Sequence, residues 1–159
     1  MKGFSLVEIL VAVAVLLASF VSVLTAFQVA ARHGRGTLEQ VQGAALAEEG
    51  IEAITAIRDT GWSNFASLAV GSEYYLNFDG TKWVTTATPQ MIDGVFRRTF
   101  VLNDVYRRNS DKDIVMSTST DAKAVDAGAR KVTVRVSWAT TTPQAGERVM
   151  ETYLMNLFE

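Results

Sequence analysis

Residues 3–31 read GFSLVEILVAVAVLLASFVSVLTAFQVAA, and from Ile9 to Ala31 the run carries no charged side chain. A bilayer core is crossed by about 20 apolar residues as helix, because in lipid the backbone must satisfy its own hydrogen bonds. With no proline inside it, the stretch predicts one helix over residues 4–31, long enough to span a membrane. A secretory signal has an apolar core of only about 7 to 15 residues. This run is longer, even though Val29-Ala30-Ala31 would suit a signal peptidase. Near the start of the helix stands Glu8. A charge inside a spanning helix costs about 3 kcal/mol on insertion scales, which makes it a functional candidate that needs a counter-charge. No residue from 9 to 31 supplies one, and Lys2 lies on the amino-terminal side. Orientation is not set by charge, since Lys2 flanks one end and Arg32 and Arg35 the other.

Past the run, His33-Gly34-Arg35-Gly36 places two glycines within three positions, each costing about 1 kcal/mol relative to alanine in a helix interior. A bend or local melting is expected there. From Thr37 to about Arg58 a helical period returns: Ala44, Ala47, Gly50, Ile51, Ile54 and Ile57 gather on one side, with Glu48, Glu49 and Glu52 opposite. The small residues suit close approach by a sheet or another helix. Gly61 reads as the stop, with Trp62 packing back beneath it.

The period then becomes twofold. Ser72 to Phe78 and Thr81 to Thr86 flank Asp79-Gly80, a two-residue hairpin signal, and Tyr74, Leu76 and Phe78 are expected on one face. Gly94 to Arg107 aligns Phe96, Phe100, Leu102 and Tyr106, with Arg98 and Asp104 as polar interruptions. Val132, Val134, Val136 and Trp138 alternate with Thr133, Arg135 and Ser137, the clearest strand in the chain. A turn over Thr140 to Gly146, containing Pro143, leads into a last strand from Glu147 to Phe158. Between Arg107 and Arg130 the chain is rich in Ser, Thr, Asp and Ala, and is expected to form a surface excursion.

The fold class expected is α+β: a long amino-terminal helix, its first half membrane-spanning, packed on a mainly antiparallel sheet of four or five strands. At 159 residues, 48% hydrophobic and with a formal net charge of −2, the chain suits one modest domain plus an anchor. No Lys/Arg run offers a footprint for duplex nucleic acid, and the absence of cysteine excludes disulfides and thiolate metal sites.

Gly3, Phe4 and Glu8, followed by an uninterrupted apolar helix, resemble the prepilin leader and processing site of type IV pilins and pseudopilins. That resemblance implies a leader of residues 1–3, a transmembrane and filament-core helix over 4–31, and an extracytoplasmic head over 32–159, built from an amphipathic helix over 37–60 and a sheet over 72–158. It also implies cleavage between Gly3 and Phe4 by a prepilin peptidase, methylation of the new Phe4 amine, and a role for Glu8 in assembly. The partners implied are other pilin subunits, that peptidase, an inner-membrane assembly platform, and membrane lipid before assembly. The subunit would start as a single-pass protein of the inner membrane and end in a surface or periplasmic filament.

Two departures are visible. The leader holds a single lysine, and the proline common in the helix of major pilins is missing. The final strands look like the end of minor pilins of the V and I type, and the lack of a carboxy-terminal disulfide loop points the same way. The function expected is therefore structural: a minor pilin of a type IV pilus. The alternatives are a pseudopilin of a type II secretion or DNA-uptake machine and, from another class, a single-pass anchored surface-binding module.

Other candidates read more plainly. His33, the one histidine, is expected at headgroup level. Asn109, Asp111 and Asp113 have the spacing that opens a calcium loop, which some pseudopilins use, but Ile114 and Thr120 stand where that loop needs glycine and glutamate. Glu48, Glu49 and Glu52 read as a solvated face, and Trp62, Trp83 and Trp138 as core aromatics. No nucleophile elbow or phosphate-cradling loop is present, so neither catalysis nor a cofactor is expected.

Overall fold

The computed structural model describes residues 5–139 and 146–157. The Gly3-Phe4 cleavage position, the turn around Pro143 and the end of the expected last strand at Phe158 lie outside the described residues. The chain divides into two compact units, one up to Glu39 and one from Gln40 onward.

The first unit is helix. Helix α1 runs from Leu6 to Thr60 without interruption, so the melting expected at residues 33–36 does not occur. Two glycines together cost about 2 kcal/mol in a helix. Ala30, Ala31, Leu38 and Gln40 around them are good helix formers, and the Thr37 hydroxyl bonds back to the His33 carbonyl at 3.0 Å.

In the second unit, residues 40–60 of α1 lie against a single sheet. Five strands follow the order β2-β1-β3-β5-β6: β1 (Glu73–Phe78), β2 (Trp83–Thr86), β3 (Phe96–Arg108), β5 (Lys123–Trp138) and β6 (Gly146–Met155). A two-residue strand, β4 (Ile114–Val115), pairs with β3, and every pairing is antiparallel. A short helix, α2 (Trp62–Ala66), follows Gly61.

The alternating residues meet the helix. Phe100, Leu102, Val132, Val134, Leu76 and Leu154 pack with Ala53, Ile54, Ile57 and Phe65, and Ala47, Phe96, Val136 and Trp138 form a second cluster. Each fully buried side chain of this size contributes about 1.5–3 kcal/mol. Trp62 packs against the larger cluster and sits 5.4 Å from the Phe65 ring.

Closeness of approach decides which helical residues are buried. The covered set is Gly43, Ala47, Gly50, Ala53, Ile54 and Ile57. The expected Ala44 and Ile51 lie at its margin, since the stripe is centred on positions with little or no side chain. A Cβ on Gly50 would lie 2.8 Å from Val134 Cγ1, and one on Gly43 would overlap the Trp138 ring. Gly146 meets the same ring from β6. Trp138 is accommodated because two backbones carry no side chain beside it.

Three sequence expectations need correction. The β1–β2 loop has four residues rather than two, because Phe78 pairs with Trp83 and the Asp79 carboxylate accepts the N–H groups of Thr81 and Lys82, both at 2.9 Å. That local bonding outcompetes two further ladder positions. The row in β1 needs a smaller correction: Tyr74 and Leu76 pack on the core as expected, but Phe78 at the strand end is half exposed, and Tyr75 is buried on the other side. Tyr75 is covered on its own side by Arg97, whose guanidinium lies 5.3 Å from its ring.

The third correction concerns residues 107–130. Instead of a bare excursion, β3 and β5 remain paired out to Arg108 and Lys123, with β4 alongside. The register breaks between Asp104, opposite Arg130, and Val105, opposite Asp126, leaving residues 127–129 of β5 as a bulge with no partner on β3. Beyond this irregularity Val105 is buried and Tyr106 only half-buried, so Tyr106 does not join the Phe96, Phe100 and Leu102 row. A bulge twists the strands and redirects side chains, which alternation alone does not foresee.

Candidate functional site

The segment that demands explanation is the first half of α1. Leu6, Val7, Leu10, Leu16, Phe20 and Phe27 are all exposed, Leu6 at 75% and Phe27 at 73%. An 18-residue window reaches a mean hydropathy of 2.7, with none of it buried. The helix is thus long and apolar enough to cross a membrane. Soluble monomers rarely expose apolar patches beyond a few hundred Å², so this surface calls for lipid or other protein.

Its polar atoms are arranged for such surroundings. The hydroxyls of Ser19, Ser22 and Thr25 donate to the carbonyls of Val15, Ala18 and Val21 at 2.8, 2.8 and 2.9 Å. Each hydroxyl is satisfied within the helix, which removes the penalty for an unpaired donor in hydrocarbon. Sequence reasoning passed over this pattern, although the three-residue spacing of these positions was a readable sign of a shared helical side.

Glu8 lies in the first turn, where its own N–H donates to the Ser5 carbonyl at 3.0 Å and the helix dipole favours a carboxylate. Its side chain is exposed, and among the described residues it has no ion-pair partner. Along the helix the next charged residue is Arg32, 24 positions away, or about 36 Å at 1.5 Å per residue. Among the described residues, Glu8 therefore stands by itself in a large apolar surface. Comparison with family models, curated proteins and solved structures returns no match. What the segment does must be argued from its chemistry.

Other candidate residues resolve into structural contacts. Glu48 and Glu52 are exposed as expected, but Glu49 turns to the sheet and pairs with Arg98 at 2.9 Å. Arg98, only 4% exposed, also donates to the Leu46 carbonyl at 3.1 Å and lies 5.2 Å from the Trp83 ring. Its Nε has no acceptor among the described residues. This cation clamps the helix to β3 and to the β1–β2 hairpin, and Trp83 serves as its platform.

At the tip beyond β3, Arg108 donates to Asp111 at 2.6 Å and to Asp121 at 2.9 Å. The Asp113 N–H, and then Arg108, hold the Asp111 carboxyl below the usual carboxylate range. Arg108, followed by the Ser119 hydroxyl, does the same for Asp121. Of the residues considered for calcium, Asp111 thus has both carboxylate oxygens engaged inside the loop. Among the described residues, no three His, Cys, Asp or Glu side chains are grouped to hold a metal ion. A half-open cleft of about 660 Å³ lies beside β4, lined by Asn103, Val105, Ile114, Met116, Lys131 and Tyr153 among others. His33 is exposed on the helix.

Proposed function

We propose that this chain is a structural filament subunit, a minor pilin of a type IV pilus, inserted first as a single-pass membrane protein and then assembled through its amino-terminal helix. The observation that carries the reading is the isolated Glu8 in an exposed, otherwise uncharged helical surface, five positions after Gly3.

In this reading, hydrolysis of the Gly3–Phe4 peptide bond leaves a carboxylate on Gly3 and an ammonium on Phe4. That ammonium, whose charge survives methylation, pairs with Glu8 of a neighbouring subunit. In hydrocarbon an unpaired carboxylate is costly, and an ion pair across subunits removes the penalty only when subunits meet. The apolar side chains around Glu8 then pack against equivalent helices.

Mass spectrometry of the mature chain tests the processing step. The expected amino terminus is a methylated Phe4; a mature chain that retains Met1 while assembled, or that begins at Arg32, overturns the reading and leaves a simple anchored module or a secreted head. For the assembly step, Glu8→Ala is expected to reduce recovery in sheared filaments by about tenfold or more, equivalent to about 1.4 kcal/mol or more, with normal membrane levels. Recovery from surface filaments, rather than retention in the periplasm, distinguishes a pilus from a secretion pseudopilus.

A further inference from the structure

The apolar run of α1 ends in a compact group of cations. Arg32, His33 and Arg35 follow Ala31 within four positions, and the arginines, one turn apart, lie on the same side of the helix. All three side chains are exposed, and among the described residues neither arginine has an ion-pair partner. Glu39, one turn beyond Arg35, makes no ion pair with it. Two guanidiniums with ten donor N–H groups between them are left facing outward.

Their depth is set by the rest of the helix. From Glu8 to Arg32 the axis extends about 36 Å. This lies between the roughly 30 Å of bilayer hydrocarbon and the 40–45 Å that includes both headgroup layers. With Glu8 just inside one boundary of the hydrocarbon, Arg32 and Arg35 lie about 6 Å or more beyond the other boundary, in the headgroup layer of the opposite leaflet. We infer that Arg32 and Arg35 form a binding site for the phosphate groups of anionic phospholipid in the leaflet on the head side, with guanidinium forks donating to phosphate oxygens.

The inference rests on the membrane stage of the proposed function and names the lipid partner of that stage. The site holds the subunit at a defined depth. Assembly into a filament vacates it, so anionic lipid retains unassembled subunits in the bilayer.

The test uses the full chain reconstituted into vesicles containing equal amounts of phosphatidylcholine and phosphatidylglycerol, with lipids retained after detergent release counted by native mass spectrometry. Retained phosphatidylglycerol is expected to exceed phosphatidylcholine by about fivefold for each arginine at low salt. The enrichment should fall as ionic strength rises from about 0.01 M to 1 M. It should drop to parity in the double variant Arg32→Gln, Arg35→Gln and persist largely in Arg32→Lys, Arg35→Lys. Resistance to alkaline extraction reports insertion separately. An inserted chain with no preference, or with the same preference in the glutamine variant, overturns the lipid site and leaves the membrane stage standing; a chain that extracts freely overturns both.

Discussion

Helix α1 lives under two regimes. In residues 6–31 apolar side chains point in every direction and none is covered, whereas in residues 40–60 a narrow stripe is buried against the sheet and the opposite side is mostly polar, with Val41 an exposed exception. Large aliphatics fill the first part, while the second alternates glycine and alanine with three isoleucines. The contrast teaches that side-chain size was matched to the neighbour. Bulky residues suit a fluid or interchangeable surrounding, and small ones suit a sheet that must approach the backbone within a few ångströms.

The sharpest way to break this contrast is truncation on each side of it. Phe100→Ala removes a buried ring from the larger cluster and is expected to cost about 3–5 kcal/mol. Leu16→Ala, in the uncovered half, should shift the stability of the sheet unit by less than about 0.5 kcal/mol. Chemical denaturation of the full chain followed by tryptophan fluorescence measures both, since Trp62, Trp83 and Trp138 all belong to the second unit. Equal effects would mean that the two halves do not differ as described.

Overpacking probes the stripe from the other direction. Gly43→Ala places a methyl group against the Trp138 ring and should destabilise by about 1–3 kcal/mol, read as a lower denaturation midpoint. Gly34→Ala, with nothing within 4 Å of the added carbon, should instead be neutral or stabilising by up to about 1 kcal/mol. Opposite signs at these two helical glycines would sharpen the comparison.

A smaller effect is expected at the clamp. Glu49→Ala strands the Arg98 guanidinium with one carbonyl partner and should cost about 1–2 kcal/mol, allowing for the solvent around the half-exposed glutamate. Arg98→Met should cost less, because replacing a buried charge by an apolar chain of similar length removes the desolvation penalty along with the bond. A larger loss for Met than for the glutamate truncation would show that the Trp83 stacking dominates.

The smallest effect is acidic titration. The Lys82 and Thr81 N–H groups hold the Asp79 carboxyl below its ordinary range, and Lys131, followed by Thr133, does so for Glu151. A folded value below the unfolded one means that the stabilisation is complete above the ordinary carboxylate value near pH 4 and is lost as pH falls through the lower, folded value. The denaturation midpoint should therefore decline on acidification, and Asp79→Asn should flatten that decline. These groups all lie in the second unit, so the first half of α1 should keep its helical circular dichroism throughout.

The expectations that held are those with a one-dimensional cause. An uncharged run predicts a helix, and Val132, Val134 and Val136 predict a buried strand face; both are observed. Those that failed involve competition between local and distant bonds. Asp79 lengthened a turn by capturing two N–H groups, Glu49 left the solvent side for Arg98, and the break opposite residues 127–129 moved burial from Tyr106 to Val105.

For the site, residue types and order alone identified Glu8 as a carboxylate with no counter-charge in the 23 residues that follow it, because charge and hydropathy are properties of each side chain wherever it lies. The tertiary structure decided which glycines receive a tryptophan, which glutamate meets a buried cation, and that Ser19, Ser22 and Thr25 bond within their own helix. Those outcomes depend on distances of a few ångströms between atoms far apart in the chain or set by helical geometry, and such distances exist only once the backbone has folded.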